Sequence, residues 1–261
     1  MTADDIVALM IPATWFAMMA IEAVKPARSW PAMRLWRSRS MLFFITFMTL
    51  NALLPGLLPP SFGAQALLPL AARSLVLQVV AGYAVLSLAS ALLHRAYHRY
   101  DVLWRWVHQL HHAPQRLDTA GAVVVTPWEM VGNIALFQLV VVLGLGLDPL
   151  AAAVVGYVGT FYSLFQHVNV STPQWIGVFI QRPESHGVHH RRGVHGYNYA
   201  DFPLWDMLMG TFRNPRRFDG DVGFDDAATP GVWPLLRGRD ANAPAYGPGS
   251  RGTQAPNRNP A

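Results

Sequence analysis

Histidine is the residue type in this sequence whose spacing most clearly suggests chemistry. The chain has ten: His94-x3-His98, His108-x2-His111-His112, a single His167 in HVN, His186-x2-His189-His190, and His195 shortly after. An imidazole titrates near neutral pH and binds metal through a neutral ring nitrogen. Residues at i, i+3 and i+4 share one helical face, so each cluster can aim several rings at one centre, and the adjacent pairs can diverge toward two. A tetrahedral zinc takes four protein ligands, or three with a water. The eight residues of the three clusters, with His167, exceed that count and fit two metals with four or five imidazoles each. Nitrogen ligands suit Fe, Zn, Cu or Ni. With no cysteine in the chain, disulfides, thiolate-held iron–sulfur clusters and thiolate-ligated haem are excluded.

Residues around the clusters can orient them. Pro183 precedes the third cluster, and Glu184-Ser185 is expected to open a short helix with Ser185 as its cap. Asn169 and Asn198 can hydrogen-bond a ligand imidazole or supply an amide oxygen, and hydrogen bonds of that kind set ring orientation. Asp206, in Trp205-Asp206, reads as packing with a pairing to an arginine, and Gly210-Thr211-Phe212 as packing alone.

The elements that must carry these residues are apolar helices. The chain is 52% hydrophobic and only 13% charged, with mean hydropathy +0.23, against about 25% charge in ordinary soluble domains. Five stretches can span or enter a bilayer: Ile6–Ile21, the Pro-divided Ser40–Ala72 with its span over 41–54 and an extension to Leu58, Ser74–Leu93, Met130–Leu147 and Pro149–Gln166. The last two form a tight helical hairpin around Asp148-Pro149, and both are short enough to enter a leaflet without crossing it. The first stretch begins with acids and lacks a small-x-small cleavage site, so it reads as mature structure. The expected fold is an all-α integral membrane helical bundle with a cytoplasmic, histidine-rich helical cap.

Basic residues set the orientation. Lys25, Arg28, Arg34, Arg37 and Arg39 lie between spans one and two; Arg95, Arg99, Arg105 and Arg116 between three and four; Arg182, Arg191, Arg192, Arg213, Arg216 and Arg217 after five. Five crossings put all of these, and every histidine cluster, on the cytoplasmic face. The net charge of +5 therefore reads as membrane orientation, with no arginine stripe for nucleic acid. Residues 1–213 form one membrane domain, with its histidine core at 90–213. Residues 214–261 are expected to be an irregular, partly disordered tail.

The ordered set HRAYH (94–98), HQLHH (108–112), HVN (167–169), RPESHGVHH (182–190), NY (198–199) and WDMLMGTF (205–212) resembles the fatty acid hydroxylase/sterol desaturase superfamily of integral membrane di-iron enzymes. The resemblance implies a monooxygenase or desaturase of lipid biosynthesis. Two non-haem iron ions would activate O2, a separate electron-transfer protein would supply electrons, and a lipid entering from the bilayer would be hydroxylated or desaturated. The short chain, without a fused haem domain, looks bacterial, so the expected location is a bacterial inner membrane. The resemblance makes His94, His98, His108, His111, His112, His186, His189 and His190 metal ligands, with His167 a further one, and needs no catalytic nucleophile. Many members carry a histidine-proline pair, often followed by a glutamate, before the next apolar helix. Here Thr126-Pro127-Trp128-Glu129 places Thr126 at the histidine position. His195, Asn169 or water can replace that imidazole, and its loss also admits an inactive metal-binding member.

The competing enzyme class is a zinc-dependent membrane hydrolase using Glu184, Glu129 or Asp118, although no HExxH motif is present. A metal transporter would place histidines in mid-span, whereas these lie at span ends and beyond. Substrate, electron donor and oligomeric state are not specified by the sequence.

Overall fold

The computed structural model describes residues 2–59, 61–224 and 231–240. The long helices begin where side chains or proline can settle their free amides. In α1 (Ala3–Val24), Thr2 and Asp5 form a reciprocal capping box. The helix α2 (Trp36–Leu53) runs on as a 3-10 turn through Leu57, and α3 (Leu75–Arg99) opens on Ser74. Two short helices, α4 (Asp101–Leu103) and α5 (Gln109–His112), flank a π-wound Trp104–His108. Next, α6 (Pro127–Phe137) is capped by Thr126 and ends in a π-wound Gln138–Gly144, and α7 (Pro149–Phe165) is capped by Asp148. The short helices α8 (Pro183–His189), α9 (Pro203–Met209) and α10 (Val232–Leu236) follow. Among the described residues the only β pairing is an isolated bridge, Arg191 to Val222.

Four segments, Ala3–Val24, Trp36–Leu57, Leu75–Arg99 and Pro127–Gly144, are long and apolar enough to cross a membrane, and α7 is a shorter apolar helix. Their outward faces expose Leu9, Leu42, Val76 and Leu139. The chain is an all-α, multi-spanning membrane protein.

Several helices exceed the apolar stretches that announce them. α1 continues past Ile21 through Glu22, because the Glu22 carboxylate turns into the protein: Oε2 accepts from the Thr119 amide at 3.0 Å, its hydroxyl at 2.9 Å and the Asn169 amide at 3.1 Å. α3 outlasts Leu93 by further turns, so His94 and His98 ride on a continuous helix. The expected hairpin is held by Gln78 of α3, whose Nε2 donates to Asp148 Oδ2 at 2.6 Å while its Oε1 accepts from the Asp148 amide at 2.9 Å. At Gly82 a Cβ would meet Leu147 at 2.6 Å and Val155 at 2.9 Å, so glycine permits the close contact of α3 with α7.

Aromatic packing then brings the histidine segments together. Trp15 of α1 stacks on Phe44 of α2 at 4.4 Å and donates its indole N–H to Thr119 O at 3.1 Å, within a cluster that includes Val123, Leu164 and Val168. A second cluster joins Trp36, Trp104, Leu110, Phe224 and Leu235. It packs parts of 214–224 and 231–240 beside the second histidine cluster; residues 225–230 and 241–261 of the expected tail lie outside the described residues.

Candidate metal centre

Nine of the ten histidines converge into two groups that share no residue. His94, His98, His108, His112 and His189 form one, and His111, His167, His186 and His190 the other, with the donor atoms inside each group all within 4.8 Å of one another. The HxxHH spacing explains the partition. His111 and His112 are sequence neighbours whose rings lie 88° apart, and those of His189 and His190 are 78° apart, so each pair serves both groups. Two copies of one motif thereby interlock two centres.

Outer hydrogen bonds decide which nitrogen faces inward. The Nδ1–H of His94 donates to Tyr199 O at 2.7 Å, that of His167 to Ser163 O at 2.7 Å and that of His189 to Tyr197 O at 2.8 Å. His108 Nδ1 lies 3.0 Å from Glu129 Oε1. A carbonyl can only accept, so His94, His167 and His189 carry the proton on Nδ1 and present Nε2 as a lone pair. The inward nitrogens crowd together: His108 Nε2 lies 2.9 Å from His94 Nε2 and 3.1 Å from His112 Nε2. In the second group His186 Nε2 lies 3.1 Å from His167 Nε2 and 3.0 Å from His190 Nε2, and His167 Nε2 lies 3.2 Å from His111 Nε2. His189 Nε2 and both nitrogens of His98 are buried without a hydrogen-bond partner among the described residues. Lone pairs at this spacing repel unless a shared cation stands among them, so the donor set fits one metal ion per group.

Burial keeps the imidazoles in their ligating form. It pushes His108 down to about 3 and His167 to about 4, and it holds His111, His112, His186, His189 and His190 well below the ordinary histidine value. All of these rings are neutral near pH 7.

His195 belongs to neither group. Its ring packs 5.0 Å from Trp104 and 5.1 Å from His112, and burial lowers it to about 4. Thr126 acts as a helix cap: its hydroxyl donates to Val107 O at 2.8 Å and accepts from the Glu129 amide at 3.1 Å. That cap aims Glu129 at His108.

The asparagines work at a distance from the imidazoles. Asn169 clamps the backbone of Arg28, donating Nδ2–H to its carbonyl and accepting from its amide. Asn198, at φ 55°, donates to the carbonyls of Ser185 and Arg213 and accepts from the Arg213 amide. Neither bonds a ligand ring, because each is used up on backbone groups. Pro183 is the first residue of α8, so Ser185 lies inside the helix and does not cap it. Asp206 accepts from the amides of Tyr199 and Ala200 and from the Thr211 hydroxyl, and the expected arginine partner acts only at longer range, as the attraction of Arg95. Asp206 thereby shapes the turn whose Tyr199 carbonyl holds His94.

The candidate hydrolytic carboxylates are also committed. Glu184 accepts from the amide and hydroxyl of Thr172 at 2.8 and 2.7 Å and pairs with Arg182. Asp118 binds the Trp36 indole, the Gly121 amide and Arg116. Glu129 meets His108 on the outer edge of its ring.

Sequence reasoning passed over the carbonyls of Ser163, Tyr197 and Tyr199, since a backbone acceptor leaves no mark on residue type. It also passed over the role of Arg182, fully buried, whose guanidinium donates to Thr172, Asn214 and Pro215 and so fixes the start of α8. An arginine beside an apolar stretch reads equally well as an orientation signal.

Residues 79–211, just over half of the chain, match a family model described as fatty acid hydroxylase. The ornithine lipid hydroxylase OlsE of Rhizobium tropici is 31% identical over 144 residues, 54% of this chain and 43% of that protein. The chain thus spans less than half the length of that curated relative. No solved structure matches.

Proposed function

The chain belongs to the fatty acid hydroxylase family, and on that premise we propose that it is a membrane di-iron oxygenase that hydroxylates or desaturates a lipid. The observation that carries this reading is the pair of disjoint histidine groups, five and four residues strong, inside a multi-spanning helical protein. Iron bound there would supply the power to activate O2 and break a strong C–H bond. In hydroxylation one oxygen atom enters the C–H bond, and the other leaves as water with two electrons from an external donor and two protons.

The proposed ligands are the nine grouped histidines, with His195 packed beside them. The rings of His94, His108, His167 and His189 are pre-oriented by Tyr199, Glu129, Ser163 and Tyr197, so binding two cations requires little rearrangement. Burial of the cluster excludes water, which protects an oxidising site from side reactions. The lipid tail lies among the spans, and the histidine groups face the cytoplasm of a bacterial inner membrane, an orientation supported by the basic residues flanking the spans. The relative's name, ornithine lipid hydroxylase, supports a polar lipid as substrate. The zinc hydrolase reading is disfavoured by the engagement of Glu184 and Asp118 in loop contacts.

The test is to express the chain in a bacterial host under isotopically labelled O2 and follow host lipids by mass spectrometry. A lipid gaining one labelled oxygen supports hydroxylation, and one losing two hydrogens supports desaturation. Unchanged lipids in cells where the protein carries both metals oppose the proposal.

A further inference from the structure

On the α9 side of the histidine groups lies a polar constellation that metal binding does not use. Asp201 follows Tyr199, the residue whose carbonyl holds His94, and its Oδ1 accepts from Gln166 Nε2 at 2.8 Å; Gln166 immediately precedes His167. Among the described residues no other hydrogen bond reaches the Asp201 carboxylate and no cation pairs with it.

The surroundings share this lack of partners. Gln166 Oε1 and the Tyr83 hydroxyl are buried with no hydrogen-bond partner among the described residues. Asp201 is close enough to act electrostatically on both Tyr83 and Tyr162, whose rings lie 5.2 Å apart, and Phe202 sits 6.3 Å from Tyr83. Buried polar groups are nearly always paired, and ionisable groups at membrane depth mark ligand paths more often than packing. Tyr83 precedes His94 by roughly 16 Å of helix at 1.5 Å per residue, so the constellation flanks the metal groups along α3.

Asp201 itself stands beside an exposed apolar helix face. Asp201 is only half-buried, and α9 begins two residues later with Leu204, Met207 and Leu208 exposed. Trp205 pins that helix to the membrane-spanning α3 by donating to Ser87 Oγ at 2.9 Å. An apolar chain lying along α9 therefore comes beside a carboxylate with one oxygen free of hydrogen bonds, behind which lie a buried amide oxygen and a buried phenol without partners. Two of the three are acceptors only, and one carries negative charge. Their natural complement is a donor with positive charge.

We infer that Asp201, with Gln166 and Tyr83, is the anchor for a protonated amine carried by the lipid, and that it sets which lipids reach the histidine groups. This rests on the lipid-oxygenase reading for the identity of the ligand as substrate. Asp201 is a specificity residue in this scheme: it touches the polar group of the lipid and leaves the reacting carbon to the metal site. Burial lifts its carboxyl to about 6, against the pull of the Gln166 hydrogen bond, so it is largely ionised at neutral pH.

The test needs no turnover. Zinc-loaded protein in neutral detergent is titrated at pH 7.5 with a single-chain primary amine and with its N-acetyl derivative, and binding is read by native mass spectrometry. A charge-assisted hydrogen bond contributes about 1.5–3 kcal/mol, so the amine binds about tenfold or more tightly than the amide. Asp201→Asn, with two metals retained, brings the amine to the affinity of the amide, and Tyr83→Phe weakens it by a smaller factor. Equal binding of the two probes by the unmodified protein overturns the anchor without recourse to any variant, as does an Asp201→Asn protein that keeps the preference. Host-lipid oxidation measured in parallel separates the two ideas. Amine preference without lipid oxidation sinks the oxygenase reading alone, and lipid oxidation without amine preference sinks the anchor alone.

Discussion

Glu129 Oε1 lies 3.0 Å from His108 Nδ1, so an acidic side chain on one membrane helix orients the ring of a histidine on a separate segment. The link depends on Thr126, whose hydroxyl caps the helix bearing Glu129. His108 is in turn the member of the five-histidine group that meets both His94 and His112 through Nε2.

Glu129→Ala is expected to lower metal affinity by about 10–100-fold, the usual loss when an outer partner of a ligand histidine is removed. Glu129→Gln keeps an oxygen acceptor for the Nδ1–H and costs less. Chelator competition on the two variants checks this, and equal losses would show that charge, not ring orientation, is what Glu129 supplies.

His111 and His112 are neighbours in sequence and belong to different groups. His111→Ala is expected to cripple the four-histidine centre, and His112→Ala the five-histidine centre, which keeps four rings. Metal content should therefore fall further in His111→Ala. A site-resolved spectroscopy such as Mössbauer should lose a different component in each variant, and loss of the same component would contradict the partition.

His195→Ala should retain both metals, because the ring belongs to neither donor group. Thr126→Ala should also retain them while losing about 1 kcal/mol of stability from the missing cap. Elemental analysis with thermal unfolding checks both, and a drop to one metal in either variant would return that residue to the ligand set.

Arg182→Ala should be severe. It leaves Glu184 without its cation and frees the loops around Thr172 and Asn214, a change in the class that costs about 3–5 kcal/mol when a buried pair is broken. Arg182→Lys keeps the charge without the planar fork and should rescue only part of this. Proteolysis rates at residues 170–190 in detergent give the readout, and full rescue by lysine would show that charge alone is required.

The metal centre was legible because its chemistry is written in residue type and spacing: three histidine clusters at helical intervals partition as two interlocked groups require. Helix ends were less legible. Glu22 looks like the end of a span until Thr119 and Asn169 arrive to hold it, and those contacts come from far along the chain. Asn169, Asn198 and Asp206 have side chains suited to ligands or ion pairs, and tertiary structure assigns them to backbone groups instead. Asp201 carries no motif, and only the arrangement of α3, α7 and α9 around it reveals a carboxylate whose second oxygen has no donor among the described residues.

The most direct measurement is metal analysis with Mössbauer spectroscopy on protein purified anaerobically from iron-supplied cells. Two histidine groups of this geometry predict two irons per chain, in two nitrogen-rich environments. A single zinc per chain, with no iron bound after anaerobic loading, would contradict the account.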